Sequence, residues 1–249
     1  MNEIQRRRRA LMARAAAAPA PVHGTWEDLF ARIADGTYAT AYQVGEILPL
    51  DLGTEGAVNA QIAGFNVDTK SDDSGYAKVT FITQYALNTS RRFNPQLSPS
   101  SAPYTEGTGA IGGWGKSEIR AYLASTIKPL FPSAISSRIV AVKKYSRIFN
   151  TSGSASNNNL TSDELWLPSA RETGSTDRES TGVSRYTLFA SGTSATTTKV
   201  KTKPGGTADI WLTRTANGAA KVDAWTSTGA SSGPTTQTGR LIVVGFCID

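Results

Sequence analysis

The chain of 249 residues contains a single cysteine, Cys247, and a single histidine, His23. One cysteine cannot close an internal disulfide and points to assembly in a reducing compartment. One cysteine and one histidine together exclude zinc sites of the usual kind, which need about four such ligands. They also argue against a histidine-dependent triad. No apolar run approaches the roughly 20 residues of a membrane span. The arginines near the N-terminus are not followed by an apolar segment, so a secretory signal is not expected. His23 sits at the edge of an Ala/Pro stretch and reads as a solvated linker residue. There is no G-x-S-x-G, no P-loop and no dinucleotide fingerprint. The glycine-rich patches at 107–115 and 204–206 lack the strand-to-helix context that a phosphate site needs.

Charge is also scarce over most of the chain. The formal net charge is +6. Arg6, Arg7, Arg8, Arg9 and Arg14 against Glu3 place +4 of it in the first fourteen residues, which leaves +2 for the rest. Residues 1–18 are expected to form a helix in which Ile4, Leu11 and Met12 share a narrow stripe among arginines. Pro19 and Pro21 end it in a semi-stiff linker. A domain boundary is expected between 1–22, a basic anchoring arm, and 23–249, a folded body. The arm suits docking to a larger assembly or bundling with copies of itself. No aromatic residue stands among the arginines to stack on bases, so nucleic-acid binding through this tail is the weaker expectation.

The body turns on one stretch, Ile111-Gly-Gly-Trp-Gly-Lys-Ser-Glu-Ile-Arg-Ala-Tyr-Leu. Glycines around Trp114 open the chain path to positive φ. Ser117 is placed as an N-cap, with Glu118 in the first turn. Ile119, Tyr122, Leu123 and Ile127 then fall on one helical face, and Pro129 and Pro132 are expected to stop the helix. Upstream, Thr25-Trp-Glu-Asp28 resembles a capping box whose helix buries Trp26, Leu29, Phe30 and Ile33 and ends at Asp35-Gly36. Strands are expected at 42–52, 58–67 and 78–85. Further strands are expected at 139–148, 165–168, 185–190, 209–213, 222–225 and 240–248. Polar loops are expected at 88–113, 151–161, 173–184 and 191–207. Ser133 is placed to cap a short helix, and Ser169-Ala-Arg-Glu172 forms a second capping box. Short strands, few helices and long polar loops read as α+β.

Three groups of side chains invite a chemical reading. Asp68-Thr-Lys-Ser-Asp-Asp-Ser-Gly75 has the aspartates of a calcium loop but no glutamate at the required distance, so a plain turn is favoured. Glu46, Asp51, Glu164 and Glu172 could supply an acid/base pair, yet each stands at a capping or strand-edge position. Trp114, Trp166, Trp211 and Trp225 could stack on sugars, but three of them lie in apolar runs that favour core packing. Cys247, between Phe246 and Ile248, reads as a small buried hydrophobe. No cofactor is implied.

Four segments occur together in one order: Trp114-Gly-Lys-Ser-Glu-Ile-Arg-Ala-Tyr-Leu, Glu164-Leu-Trp-Leu-Pro-Ser-Ala-Arg-Glu172, Asp209-Ile-Trp-Leu-Thr-Arg214 and Gly239-Arg-Leu-Ile-Val-Val-Gly-Phe246. In that order the chain resembles, over most of 25–248, a domain family of unknown function found in phage and surface proteins of Gram-positive bacteria. The resemblance carries Trp114, Ser117, Arg120, Leu123, Trp166, Ser169, Glu172 and Trp211 as its fold signature. It departs from the family at Thr213-Arg214 and at Phe246-Cys247. It implies a C-type-lectin-like fold, shared with formylglycine-generating enzymes, whose two-thiol copper chemistry the lone Cys247 excludes.

The expectation is a non-enzymatic virion protein, made in the bacterial host cytoplasm. It would serve as a decoration, fibre or tail-tip component held by its arm to other virion proteins. It would assemble as a homo-oligomer, without a membrane, with loops facing a host glycan or protein. A cell-wall carbohydrate-active enzyme using carboxylates from 164–179 and a nucleic-acid-binding module stand as alternatives.

Overall fold

A computed structural model describes residues 24–175, 179, 183–190 and 197–249. The basic arm, with Ile4, Arg6, Arg7, Arg8, Arg9, Leu11 and Met12, lies outside the described residues, as do parts of the loops at 176–182 and 191–196.

Local chemistry explains the helices. In α1 (Trp26–Ala34) the Thr25 side chain accepts from the Asp28 amide and caps the helix. The reciprocal half of the expected box does not form, because Asp28 Oδ2 instead accepts the Tyr42 hydroxyl at 2.9 Å. A short α2 (Tyr38–Ala41) follows the turn at Gly36. Ser117 caps α3 (Glu118–Tyr122) through the Arg120 amide, as its sequence position predicts. Pro129 does not end this helix. The chain runs on through a π turn (Leu123–Ile127) and a 3-10 turn (Lys128–Leu130) in which Pro129 stands near the start, where its missing N–H costs nothing. Ile119, Leu123 and Ile127 nevertheless share one buried face. A further short helix is α4 (Ser133–Ser136), which Ser133 begins without capping it through its side chain.

The strands in chain order are β1 (Ile47–Leu48), β2 (Ala60–Phe65), β3 (Val79–Thr83), β4 (Val142–Phe149), β5 (Ala155–Asp163) and β6 (Leu165–Trp166). They are followed by β7 (Lys201–Thr202), β8 (Ala208–Asp209), β9 (Trp211–Gly218), β10 (Lys221–Trp225), β11 (Ser231–Ser232) and β12 (Gly245–Ile248). The principal antiparallel sheet has the order β1-β2-β3-β12-β6, so the C-terminal strand sits between β3 and β6. A three-stranded sheet β11-β10-β9 and the hairpins β4-β5 and β7-β8 complete the α+β architecture. Among the described residues no helix is long and apolar enough to cross a membrane.

Several expected elements differ. The polar loop at 151–161 is mostly the strand β5, whose register with β4 runs from Val142↔Asp163 to Phe149↔Ala155. Its Ser, Asn and Thr residues pair because β4 offers a ladder, not because they favour strands. Only Ile47–Leu48 of the stretch 42–52 pairs as a strand, and Gly53–Glu55 turns as 3-10 helix. Thr187–Phe189 is a 3-10 turn rather than a strand, and only Gly245–Ile248 of 240–248 is in a ladder.

One core joins α1, the principal sheet and the helical segment, with Trp26, Phe81 and Phe246 in mutual ring contact and Phe131 edge-on to Phe246. A smaller cluster gathers Tyr186, Phe189, Trp211, Trp225, Leu241 and Val243. At a core value of about 25 cal/mol per Å², each such ring contributes a few kcal/mol by its burial.

Candidate functional site

Two polar constructions stand out, one open and one closed. The open one is a groove of about 360 Å³ between the helical segment after Trp114 and the end of β5. Its wall is Ser117, Arg120, Ala124 and Lys128, and its other side is Ser162, Asp163 and Glu164. The floor is held by Asp163, nearly buried, whose Oδ2 accepts the Trp114 indole N–H at 2.9 Å. Its Oδ1 accepts Arg120 Nε at 2.5 Å, and Arg120 Nη2 donates to the Ser162 carbonyl at 3.0 Å. Lys128 Nζ and Glu164 form a second ion pair across the mouth. The charges of the groove therefore come in neutralised pairs around small side chains. Such a surface can accept a polar, uncharged ligand.

The closed construction is an ionic centre within the core. Lys144 projects inward from β4 because it shares the parity of Val142 and Ser146 on that strand. Its Nζ donates to Asp68 Oδ1 at 2.5 Å, Glu172 Oε1 at 3.1 Å and Tyr186 Oη at 2.7 Å. The Trp166 ring lies beneath it, with Nζ 3.8 Å from the ring centroid. Arg214, from β9, is fully buried and grips Glu172 through two bonds, Nη1 to Oε2 at 2.6 Å and Nη2 to Oε1 at 2.8 Å. Its guanidinium also donates to the carbonyls of Leu167 and Tyr145 and to Ser146 Oγ. Asp68 Oδ2 also accepts the Thr80 and Tyr186 hydroxyls, and Cys247 Sγ lies 3.5 Å away.

Burial would raise the Glu172 carboxyl, but the guanidinium of Arg214 and the ammonium of Lys144 outweigh it and hold Glu172 down at about 2. The same effect of burial prevails where the opposing charges do less. It raises Glu179, which sits beside Thr215, and it pushes the Tyr186 phenol and the Cys247 thiol well up, with the Asp68 charge adding to both. Among the described residues, no carboxylate pairs with a third buried cation, Lys201. Its Nζ donates to the Thr83 and Gln84 carbonyls at 3.1 Å each, and burial lowers it to about 7.

The signature residues expected from sequence fall in three places. Trp114, Ser117 and Arg120 build the groove, and Leu123 anchors its wall in the core. Trp166, Ser169 and Glu172 belong to the ionic centre. There Ser169 N donates to Glu172 Oε2 at 2.8 Å and Glu172 N to Ser169 Oγ at 3.0 Å, so the capping box is made, though on a turn and not an α-helix. Trp211 lies in the second cluster and donates to the Lys199 carbonyl. All four tryptophans considered for sugar stacking are buried, as core packing requires.

The aspartates of 68–75 diverge. Asp68 turns into the core, Asp72 accepts from Ser74, and Asp73 pairs with Lys143. Among the described residues no three His, Cys, Asp or Glu side chains gather as for a metal ion. Cys247 is buried as expected but faces polar partners, Thr80 and Asp68, and is not a mere apolar filler. Sequence reasoning missed Lys144, Asp68, Tyr186 and Arg214 as a unit. Only the inward parity of Lys144 on β4 could have signalled it.

Residues 78–249 match the domain of unknown function DUF6273, and because this span is more than half of the chain, the protein belongs to that family. No curated protein and no solved structure matches.

Proposed function

We propose that this DUF6273 protein is a non-enzymatic virion component whose body displays the Arg120 groove to the host surface. The observation that carries the reading is the pairing of every charged side chain in the groove, Arg120 with Asp163 and Lys128 with Glu164. Each carboxylate of the groove is thus already engaged by a cation. The core carboxylate Glu172 is sealed from solvent and bound on both oxygens. A C-type-lectin-like arrangement of the short strands fits this role, with long polar segments on a rigid frame available for recognition. The arm 1–22 would anchor the body to other virion proteins, with copies of the chain assembling symmetrically. The ligand class that suits the groove is a neutral polar one, such as a cell-surface glycan.

The experiment pairs two variants in infectious particles. Deletion of residues 2–14 is expected to leave a folded body that no longer enters particles. Ala124→Trp, which fills the groove from an exposed position, is expected to enter particles normally and to lower adsorption to host cells at least tenfold. Release of soluble fragments from purified peptidoglycan by the isolated protein would overturn the non-enzymatic reading. Unchanged adsorption by Ala124→Trp would overturn the groove.

A further inference from the structure

The ionic centre places a primary amine against a carboxyl group with water excluded. The side chains of Lys144 and Asp68 are 1% and 9% exposed, and that of Glu172 is 4% exposed. Tyr186 Oη bridges the two reactive groups, 2.7 Å from Lys144 Nζ and 3.1 Å from Asp68 Oδ2. In water an amine and an acid persist as separated ions. In a dry enclosure the ions lose their hydration, and fixed neighbours replace a bimolecular encounter.

The charges of the centre also balance, two cations against two carboxylates. Lys144 and Arg214 face Asp68 and Glu172, and the Arg214–Glu172 pair is bidentate and complete without Lys144. Removing one cation and one carboxylate together would leave no orphan charge. We propose that Lys144 and Asp68 condense spontaneously in the folded chain to an intramolecular amide, an isopeptide bond between Nζ and Cγ, with release of one water.

The step balances without any co-reactant. A proton passes from the ammonium to the carboxylate, giving a free amine and a carboxylic acid. The nitrogen lone pair attacks Cγ, a C–N bond forms, and the carbonyl π pair moves onto oxygen. Tyr186 Oη takes a proton from the nitrogen as it gives its own to the departing hydroxyl. The C–O bond then breaks, the carbonyl re-forms, and water leaves. Tyr186 ends as it began, and Glu172 Oε1, held by Arg214, orients the amine by accepting one of its hydrogens. The product keeps its partners, because the amide N–H can donate to Glu172 while the carbonyl accepts from Tyr186 or Thr80. The bond would tie the turn after β2 to β4, between parts of the fold that no disulfide can join.

Intact-mass measurement of the purified full chain tests this. The expected mass is one water below that of the sequence, and proteolysis is expected to yield a branched peptide joining Lys144 to Asp68. The full sequence mass would overturn the proposal. So would a lost water confined to one linear peptide, which would mark an aspartyl succinimide instead. Lys144→Arg keeps the cation but lacks the amine, and is expected to restore the full mass; retention of the loss would also overturn the bond. In Tyr186→Phe, refolded from denaturant, the branched product is expected to accumulate at least tenfold more slowly. An unchanged rate would remove the tyrosine relay from the mechanism.

Discussion

Replacement of Arg214 by Met should be the most damaging single change that leaves the shape of the core nearly intact. The wild-type guanidinium is wholly buried and satisfies both oxygens of Glu172, at 2.6 and 2.8 Å, as well as two main-chain carbonyls. Methionine fills much of the same volume but leaves a carboxylate in the core without its principal counter-charge. Breaking a buried pair in this way costs about 3–5 kcal/mol, far more than the pair contributes relative to a neutral substitute. The test is therefore a cycle. Arg214→Met and Glu172→Gln are each expected to lower the unfolding free energy in urea by about 3 kcal/mol or more, and the double variant to cost at least about 2 kcal/mol less than their sum. Glutamine keeps the shape of Glu172 and its bond from the Ser169 amide, so the cycle isolates the charge. The pH dependence gives a second reading. Because the Glu172 carboxyl is lowered to about 2 from an unfolded value near 4.5, its contribution is complete above pH 4.5 and is lost as pH falls toward 2. That loss, about 3 kcal/mol in the wild type, should be much smaller in Arg214→Met. A single variant that loses under about 1 kcal/mol, or a strictly additive double, would refute the argument.

Lys201→Met should reverse the usual sign of a lost cation. Folding lowers this lysine from 10.5 to about 7, so the unfolded chain binds the extra proton between those values and wild-type stability should rise through that window. Denaturation at pH 7 and pH 10 should show the methionine variant lacking this rise, which amounts to at most about 1.4 kcal/mol per pH unit. Gly113→Ala should cost at least about 2 kcal/mol, because φ is +55° and an added Cβ would stand 2.2 Å from Ile148 Cγ2. Gly218→Ala, where an added Cβ meets nothing, is the control and should change the thermal midpoint little. Asp163→Ala should cost about 2–4 kcal/mol, since it strips the partner from Arg120 and from the Trp114 indole, and near-ultraviolet circular dichroism should report the loosened tryptophan.

How much of this was legible in the sequence depends on whether a residue's surroundings leave a mark on its neighbours. The cap of α3 and the stripe Ile119, Leu123 and Ile127 were readable, because a helix writes its buried face at a fixed spacing that survives even the passage into π and 3-10 turns. The strand β5 was not, because Ser and Asn residues carry no strand preference and pair only because β4 lies alongside. Arg214 was hidden for a different reason. All six residues Trp211–Ala216 are buried, so β9 has no polar face against which an inward arginine could look out of place. Asp68 sits among Asp, Ser and Gly residues that read as an exposed turn whichever way its carboxyl points. Lys144 is the exception. On β4 it follows Val142 by two and precedes Ser146 by two, and a lysine on the inward parity of a strand must find an anion inside or forgo its charge. That register points to a polar partner inside, though not to its identity. The centre is assembled by partners 28 to 76 residues away along the chain, and only the fold brings them together.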